Sequence, residues 1–206
     1  MISNDKLLMK FKSIVEPLYK KDNLYIHLKS TPYAQFMKSH IDNNPNIDNY
    51  VMRTMAYSGQ SSARSKEIGE LYAFFSNGIT IENNIGKYKD LIKKEVKSSK
   101  TGELKHWLEY YWDFSEKQTC INFYNYCKTF FARCSLYMSK TGIELVKDGS
   151  LKTVPWFDFS DSMFDNTPEE IDIALFKKYD INQDIINHII EIVKNFHNLD
   201  LTKYEG

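Results

Sequence analysis

The segment CINFYNYCKTFFARC, Cys120 to Cys134, carries three cysteines at seven-residue spacing: Cys120, Cys127 and Cys134. Seven residues make nearly two helical turns, so on one continuous helix the thiols share a face and drift only about 40°. The spacing also excludes chemistry between them. Neighbouring thiols stand about 10.5 Å apart along a helix axis at a rise of about 1.5 Å per residue. A disulfide needs Cα atoms within about 7 Å, and Zn–S bonds are only about 2.3 Å. The stripe therefore reads as a buried packing seam in which cysteine acts as a small apolar residue. A reactive thiol would need a cation or a helix N-terminus beside it. Lys128 and Arg133 adjoin the stripe in sequence but point off its face.

Outward from this seam, the spacing predicts a helix over Ser115–Met138 and another over Leu104–Trp112. After the Thr141-Gly142 stop, Ile143–Val146 and Leu151–Val154 flank Lys147-Asp148-Gly149-Ser150, a hairpin signal with Asp-Gly at the turn. Thr167-Pro168-Glu169-Glu170 combines an N-cap, a first-turn proline and a capping-box glutamate. Asp180–Asn182 turns the chain into a last helix with Ile185, Ile189, Val193 and Phe196 on its apolar side. Asp184, His188, Glu191 and Asn195 lie on the opposite side. The turn between these two helices gives a helix-turn-helix outline. The second helix is too acidic for phosphates, so the pair reads as an ordinary αα-hairpin.

Toward the N-terminus, Ser3-Asn4-Asp5 offers a cap to a helix carrying Leu7, Leu8, Phe11, Ile14, Val15 and Leu18, which Pro17 should end or kink. Leu24, Ile26 and Leu28 alternate with Tyr25 and His27 as a short strand. Thr31-Pro32 caps a helix to about Ile41. Further helices are expected from Asp48 or Asn49 through Val51, Met52 and Met55, from about Lys66 through Phe75, and from Asn83-Asn84 through Val96. A brief extended piece is expected at Ile79–Ile81. The predicted fold class is α+β, mostly helical: packed helices, one short strand near the N-terminus and a β-hairpin at about 143–154. A single globular domain spans 1–206, with a sub-boundary at the 98–102 loop.

Basic and acidic residues balance at 27 each, which argues against a dedicated duplex nucleic-acid binder. No run approaches 18 apolar residues, so no membrane partner is expected. Met1-Ile2-Ser3-Asn4-Asp5 opens no signal peptide, and an odd cysteine number without framework spacing fits a reducing, cytoplasmic setting. Of the 27 basic residues only Arg53, Arg64 and Arg133 are arginine. With abundant asparagine and isoleucine, that bias points to an AT-rich genome, a low-GC microbe or its phage.

Four groups of side chains invite a functional reading. Ser58 to Ser65 enters a predicted helix at about Lys66. Backbone N–H groups there, with Ser61, Ser62 and Arg64, and with Arg53 from the preceding helix, could hold an anion. It is no Walker A loop, since the second glycine and the Lys-Ser/Thr pair are missing. Glu103, His106, Tyr110 and Asp113 recur at helical steps, but a bundle metal site needs a second Glu-x-x-His, and the nearest match, His188 and Glu191, is reversed. No metal or cofactor is assigned.

The third group is Leu24-Tyr25-Ile26-His27 before a helix ending near His40-Ile41, which resembles the opening of ADP-ribosyltransferase-like folds. The resemblance implies NAD or nucleotide chemistry at His27, Ser30 and Thr31. It covers about twenty residues, and neither a Ser-Thr-Ser block nor a Glu-x-Glu follows. A histidine alternating with apolar residues in a strand otherwise faces solvent or is locally satisfied.

The fourth is aromatic. Trp107, Tyr110, Tyr111, Trp112 and Phe114 fall within eight residues, more than one helix side can bury, and Trp156, Phe157 and Phe159 follow the hairpin. Exposed rings are typical interface anchors. The leading expectation is a non-enzymatic protein-binding or inhibitory module of the immunity or anti-defence type. It would bind another protein through Trp107, Tyr111, Trp112, Trp156 and Phe157. The rival is a small enzyme acting on a nucleotide or NAD-like ligand through His27 and Thr31.

Overall fold

The computed structural model describes residues 5–19, 25–29, 48–57, 85–87, 90, 107–138, 153–193, 195 and 198–206. The chain divides into two compact units. One comprises Met1–Asp22, Asn122–Gly142 and Val146–Gly206; the other comprises Asn23–Ile121 and Ile143–Leu145. Among the described residues the chain is mostly helical, with five α-helices.

The first unit is built around a buried helix. Helix α1, Lys6–Val15, starts at Asp5, whose carboxylate accepts the N–H groups of Leu7 and Leu8 at 3.1 Å each. Leu8, Phe11 and Val15 recur on one side and are buried. Pro17 ends the helix as expected, and a 3-10 turn, Glu16–Leu18, follows.

The cysteine segment forms two helices, not the single one expected: α2, Lys117–Cys127, and α3, Phe130–Met138. Thr129 causes the break. Its hydroxyl donates to the Tyr126 carbonyl at 2.7 Å and accepts the Ala132 N–H at 3.1 Å, so it caps a new helix. Every residue of α3 except Tyr137 is buried. Such a helix must be covered on all sides, and α1, α4 (Pro168–Lys178) and α5 (Gln183–Ile192) all pack against it. Phe11 meets Phe131 edge-on at 5.3 Å.

The expected start of α4 is present. Thr167 and Glu170 cap each other's backbone reciprocally, and Pro168 occupies the first turn. At the far end Asp180 takes φ 51, and the Ile181 N–H reaches back to the Phe176 carbonyl at 2.9 Å, closing the helix with a left-handed residue. Asn182 caps α5, which buries Ile185, Ile186 and Ile189. A 3-10 turn, Leu201–Tyr204, begins at Asp200 and buries Tyr204.

The second unit holds a four-stranded antiparallel sheet: β1 Tyr25–Lys29, β2 Tyr50–Tyr57, β3 Ile85–Lys87 and β4 Trp107–Phe114, in the order β1-β4-β2-β3. This sheet overturns two helix expectations. The segment from Asp48 or Asn49 through Met55 is strand β2, and Leu104–Trp112 is replaced by strand β4 from Trp107. Both are rich in aromatic and β-branched residues, which lose rotamer freedom in a helix and fit a pleated surface. Likewise Ile85–Lys87 is extended where a helix was expected from Asn83-Asn84. Hairpin residues 143–152, the helices expected at 31–41 and 66–75, the piece at 79–81 and the loop 98–102 lie outside the described residues.

Candidate functional site

Rings from α2, α3, α4 and the segment after Val154 converge in the first unit. Phe159 is the hub: it lies 5.0 Å from Phe123, 5.3 Å from Tyr126, 5.1 Å from Trp156 and 4.9 Å from Phe164. Phe157 packs against Tyr126 at 5.5 Å and Phe164 at 5.6 Å. Most of these pairs are tilted or edge-on, the arrangements that ring quadrupoles favour. Phe123, Tyr126, Phe159 and Phe164 are fully buried, whereas Trp156 and Phe157 are half-buried at the rim.

Backbone contacts hold that rim in place. The Trp156 N–H donates to the Leu18 carbonyl at 2.9 Å, and Pro155 pairs with Tyr19 in an isolated bridge. Pro155, lacking an N–H, sits where the chain leaves this bridge. Asn122 donates to the Phe159 carbonyl at 3.0 Å and to Asp165 at 2.7 Å, tying both ends of the loop to α2. Beneath Phe157, the Tyr126 hydroxyl is buried and makes no hydrogen bond among the described residues. Burial pushes its pKa well above the usual phenol value.

Three exposed carboxylates border the rim: Asp158, Asp161 and Asp165. Asp158 accepts the Ser160 hydroxyl at 2.6 Å and its N–H at 3.0 Å, bonds that hold its pKa below the ordinary range. Asp161 caps the 3-10 turn Ser162–Phe164 by accepting the Met163 N–H at 2.9 Å.

A second cluster is wholly internal. Asp172, on α4, accepts the N–H groups of Phe130 at 2.7 Å and Phe131 at 2.9 Å, and the Tyr204 hydroxyl at 2.9 Å. Its carboxylate therefore caps the start of α3 from another helix. Burial pushes its pKa up to about 7, against the lowering pull of the two amides, Tyr204 and Arg133. Arg133 is buried too, with its guanidinium 5.4 Å from the Phe130 ring centre. Burial lowers its pKa to about 10. This cluster joins helices; every group in it is enclosed.

The sequence-derived candidates separate on this geometry. Trp112 is buried, with only 3% of its surface exposed, on β4 between β1 and β2. Of the candidate rings whose burial is described, Trp112 is enclosed while Trp156 and Phe157 keep partial exposure. Trp107 and Tyr111 also belong to β4, at the register positions of Lys29 and Tyr25. His27 pairs with Glu109 on β1, and Arg53 with Tyr111 on β2, so Arg53 extends from a strand and not from the expected helix. Thr31, Ser61, Ser62 and Arg64 lie outside the described residues.

Tyr110 and Asp113, expected on one helix face, belong instead to strand β4. His188 is engaged elsewhere: its Nε2 meets the Asp5 carboxylate at 2.6 Å and links α5 to the cap of α1. Among the described residues no group of three or more His, Cys, Asp or Glu could hold a metal ion, and no helix is long and apolar enough to cross a membrane. All three cysteines are buried and unbridged, and burial raises the Cys134 thiol far above its ordinary pKa. That is the packing role expected of the stripe.

The sequence reading missed Asp172 and Tyr204. The available signal was the pattern Ile171, Asp172, Leu175, Phe176, which sets a carboxylate among the core positions of a helix. Comparison with known proteins adds nothing to this geometry: no family model, curated protein or solved structure matches the chain.

Proposed function

We propose that this chain is a non-enzymatic protein-binding module, inhibitory in character, whose anchors are Trp156 and Phe157. The observation that carries the reading is that two large, half-buried rings stand at the rim of a fully buried bed of Phe123, Tyr126, Phe159 and Phe164. Aromatic anchors dominate binding energy when they are held rigid, because little side-chain freedom remains to be lost on association. The immunity or anti-defence setting, in a low-GC microbe or its phage, follows from composition and belongs to the same proposal.

The test is affinity capture with the wild-type chain and with Trp156→Ala and Phe157→Ala, each first checked for cooperative unfolding. A partner retained by wild type and lost by the folded variants supports the reading. Thermal stabilisation by NAD or ATP, with no variant-sensitive partner, overturns it in favour of a nucleotide enzyme.

A further inference from the structure

The partner's chemistry can be narrowed, on the premise that Trp156 and Phe157 are anchors. From Trp156 to Asp165 the chain carries three aspartates and no lysine or arginine. Asp158, Asp161 and Asp165 are all exposed. Each spends an oxygen on a local bond, to Ser160, Met163 and Asn122 respectively. None forms an ion pair with a cation among the described residues. The loop is compact: the Asp161 N–H bonds the Asp158 carbonyl at 3.1 Å, and Asn122 bridges Phe159 to Asp165. The carboxylates and the two rings therefore belong to one short, internally bonded loop. In a chain with no net charge this is a local acidic excess, set around π faces. Aromatic faces attract ammonium and guanidinium groups, and nearby carboxylates complete their coordination.

We infer that the rim recognises a basic protein segment, placing a lysine or arginine side chain against Trp156 and Phe157 with Asp158, Asp161 and Asp165 as its counter-charges. Charge complementarity selects this occupant. An acidic peptide or a nucleic acid would meet the same carboxylates as repulsion.

The experiment uses the full chain and a fluorescein-labelled Lys/Arg-rich dodecapeptide, read by fluorescence anisotropy at low and physiological salt, with its Glu-substituted counterpart as control. The expected result is binding of the basic peptide alone, weakened by salt. D158N/D161N/D165N should reduce affinity about tenfold or more, and W156A similarly. The amide changes keep the local acceptors, so the loop stays folded. A second triple variant, D180N/D184N/E191Q, removes equal charge elsewhere and should leave binding unchanged.

Equal loss from both triple variants, or no binding of the basic peptide, overturns the inference. Binding that needs the aspartates but ignores W156A and F157A overturns the anchor reading itself. A captured native partner that depends on Trp156, yet is indifferent to D158N/D161N/D165N and to salt, leaves the anchor reading standing and refutes the basic-partner inference.

Discussion

Tyr204 donates its phenolic hydroxyl to Asp172 at 2.9 Å, and both residues are buried. The same carboxylate oxygen accepts the Phe130 N–H. One side chain thus fastens the last 3-10 turn, helix α4 and the start of α3. Removing it should be costly. Asp172→Ala strands two helix-start amides and a phenol in the interior, and should destabilise the fold by about 3 kcal/mol or more. Tyr204→Phe removes one bond and should cost only about 1–2 kcal/mol. Urea denaturation of the two variants checks the order, and Tyr204→Phe as the more damaging change would contradict it.

The pH dependence of stability follows from the same carboxylate. Burial raises Asp172 from an ordinary 3.8 to about 7 in the folded state. Between those values the folded protein binds the proton that the unfolded chain releases. This group's contribution is therefore full below about pH 4 and is lost as pH rises through about 7. Asp5 works the other way: the Leu8 N–H and His188 hold its pKa low, so its contribution is lost under acid. Across pH 5 to 8 the Asp172 effect should dominate the difference between wild type and Asp172→Asn. The melting temperature of wild type should fall relative to that of Asp172→Asn as pH rises from 5 through 7; a pH-independent difference between the two would refute the raised pKa.

The capping box at the head of α4 should be worth about 1 kcal/mol. Thr167→Ala removes the hydroxyl that meets the Glu170 N–H and side chain. Thr167→Ser should restore most of the loss. Chemical denaturation of both variants measures it.

Cys120, Cys127 and Cys134 should be silent toward a thiol reagent in the native protein and titrate fully in concentrated guanidinium. Each is buried, and for Cys134 burial disfavours the thiolate. Fast native-state reaction of any one would show an exposed thiol and undo the packing interpretation.

What the sequence disclosed follows the range of the forces involved. Caps are local, so the Ser3-Asn4-Asp5 cap and the Thr167–Glu170 capping box were legible from a few residues each. The period of α5 was legible because one side is continuously apolar. Strands β2 and β4 were not: both mix polar and aromatic residues without clean alternation, and their hydrogen bonds join residues far apart in the chain. The break at Thr129 was hidden for a related reason. The hydroxyl cap is local, but Asp172, which completes it, lies more than forty residues downstream. The surplus of rings was legible in the sequence. Which rings keep surface exposure depends on tertiary packing: Trp112 is enclosed, whereas Trp156 and Phe157 are half-buried.

The most direct measurement is the dissociation constant of a captured partner against wild type and against Trp156→Ala and Phe157→Ala, with unfolding curves run on each protein. Anchor rings should cost about 2 kcal/mol each on truncation, roughly a thirtyfold rise in Kd, while unfolding stays cooperative. Unchanged affinity in both folded variants would contradict the account.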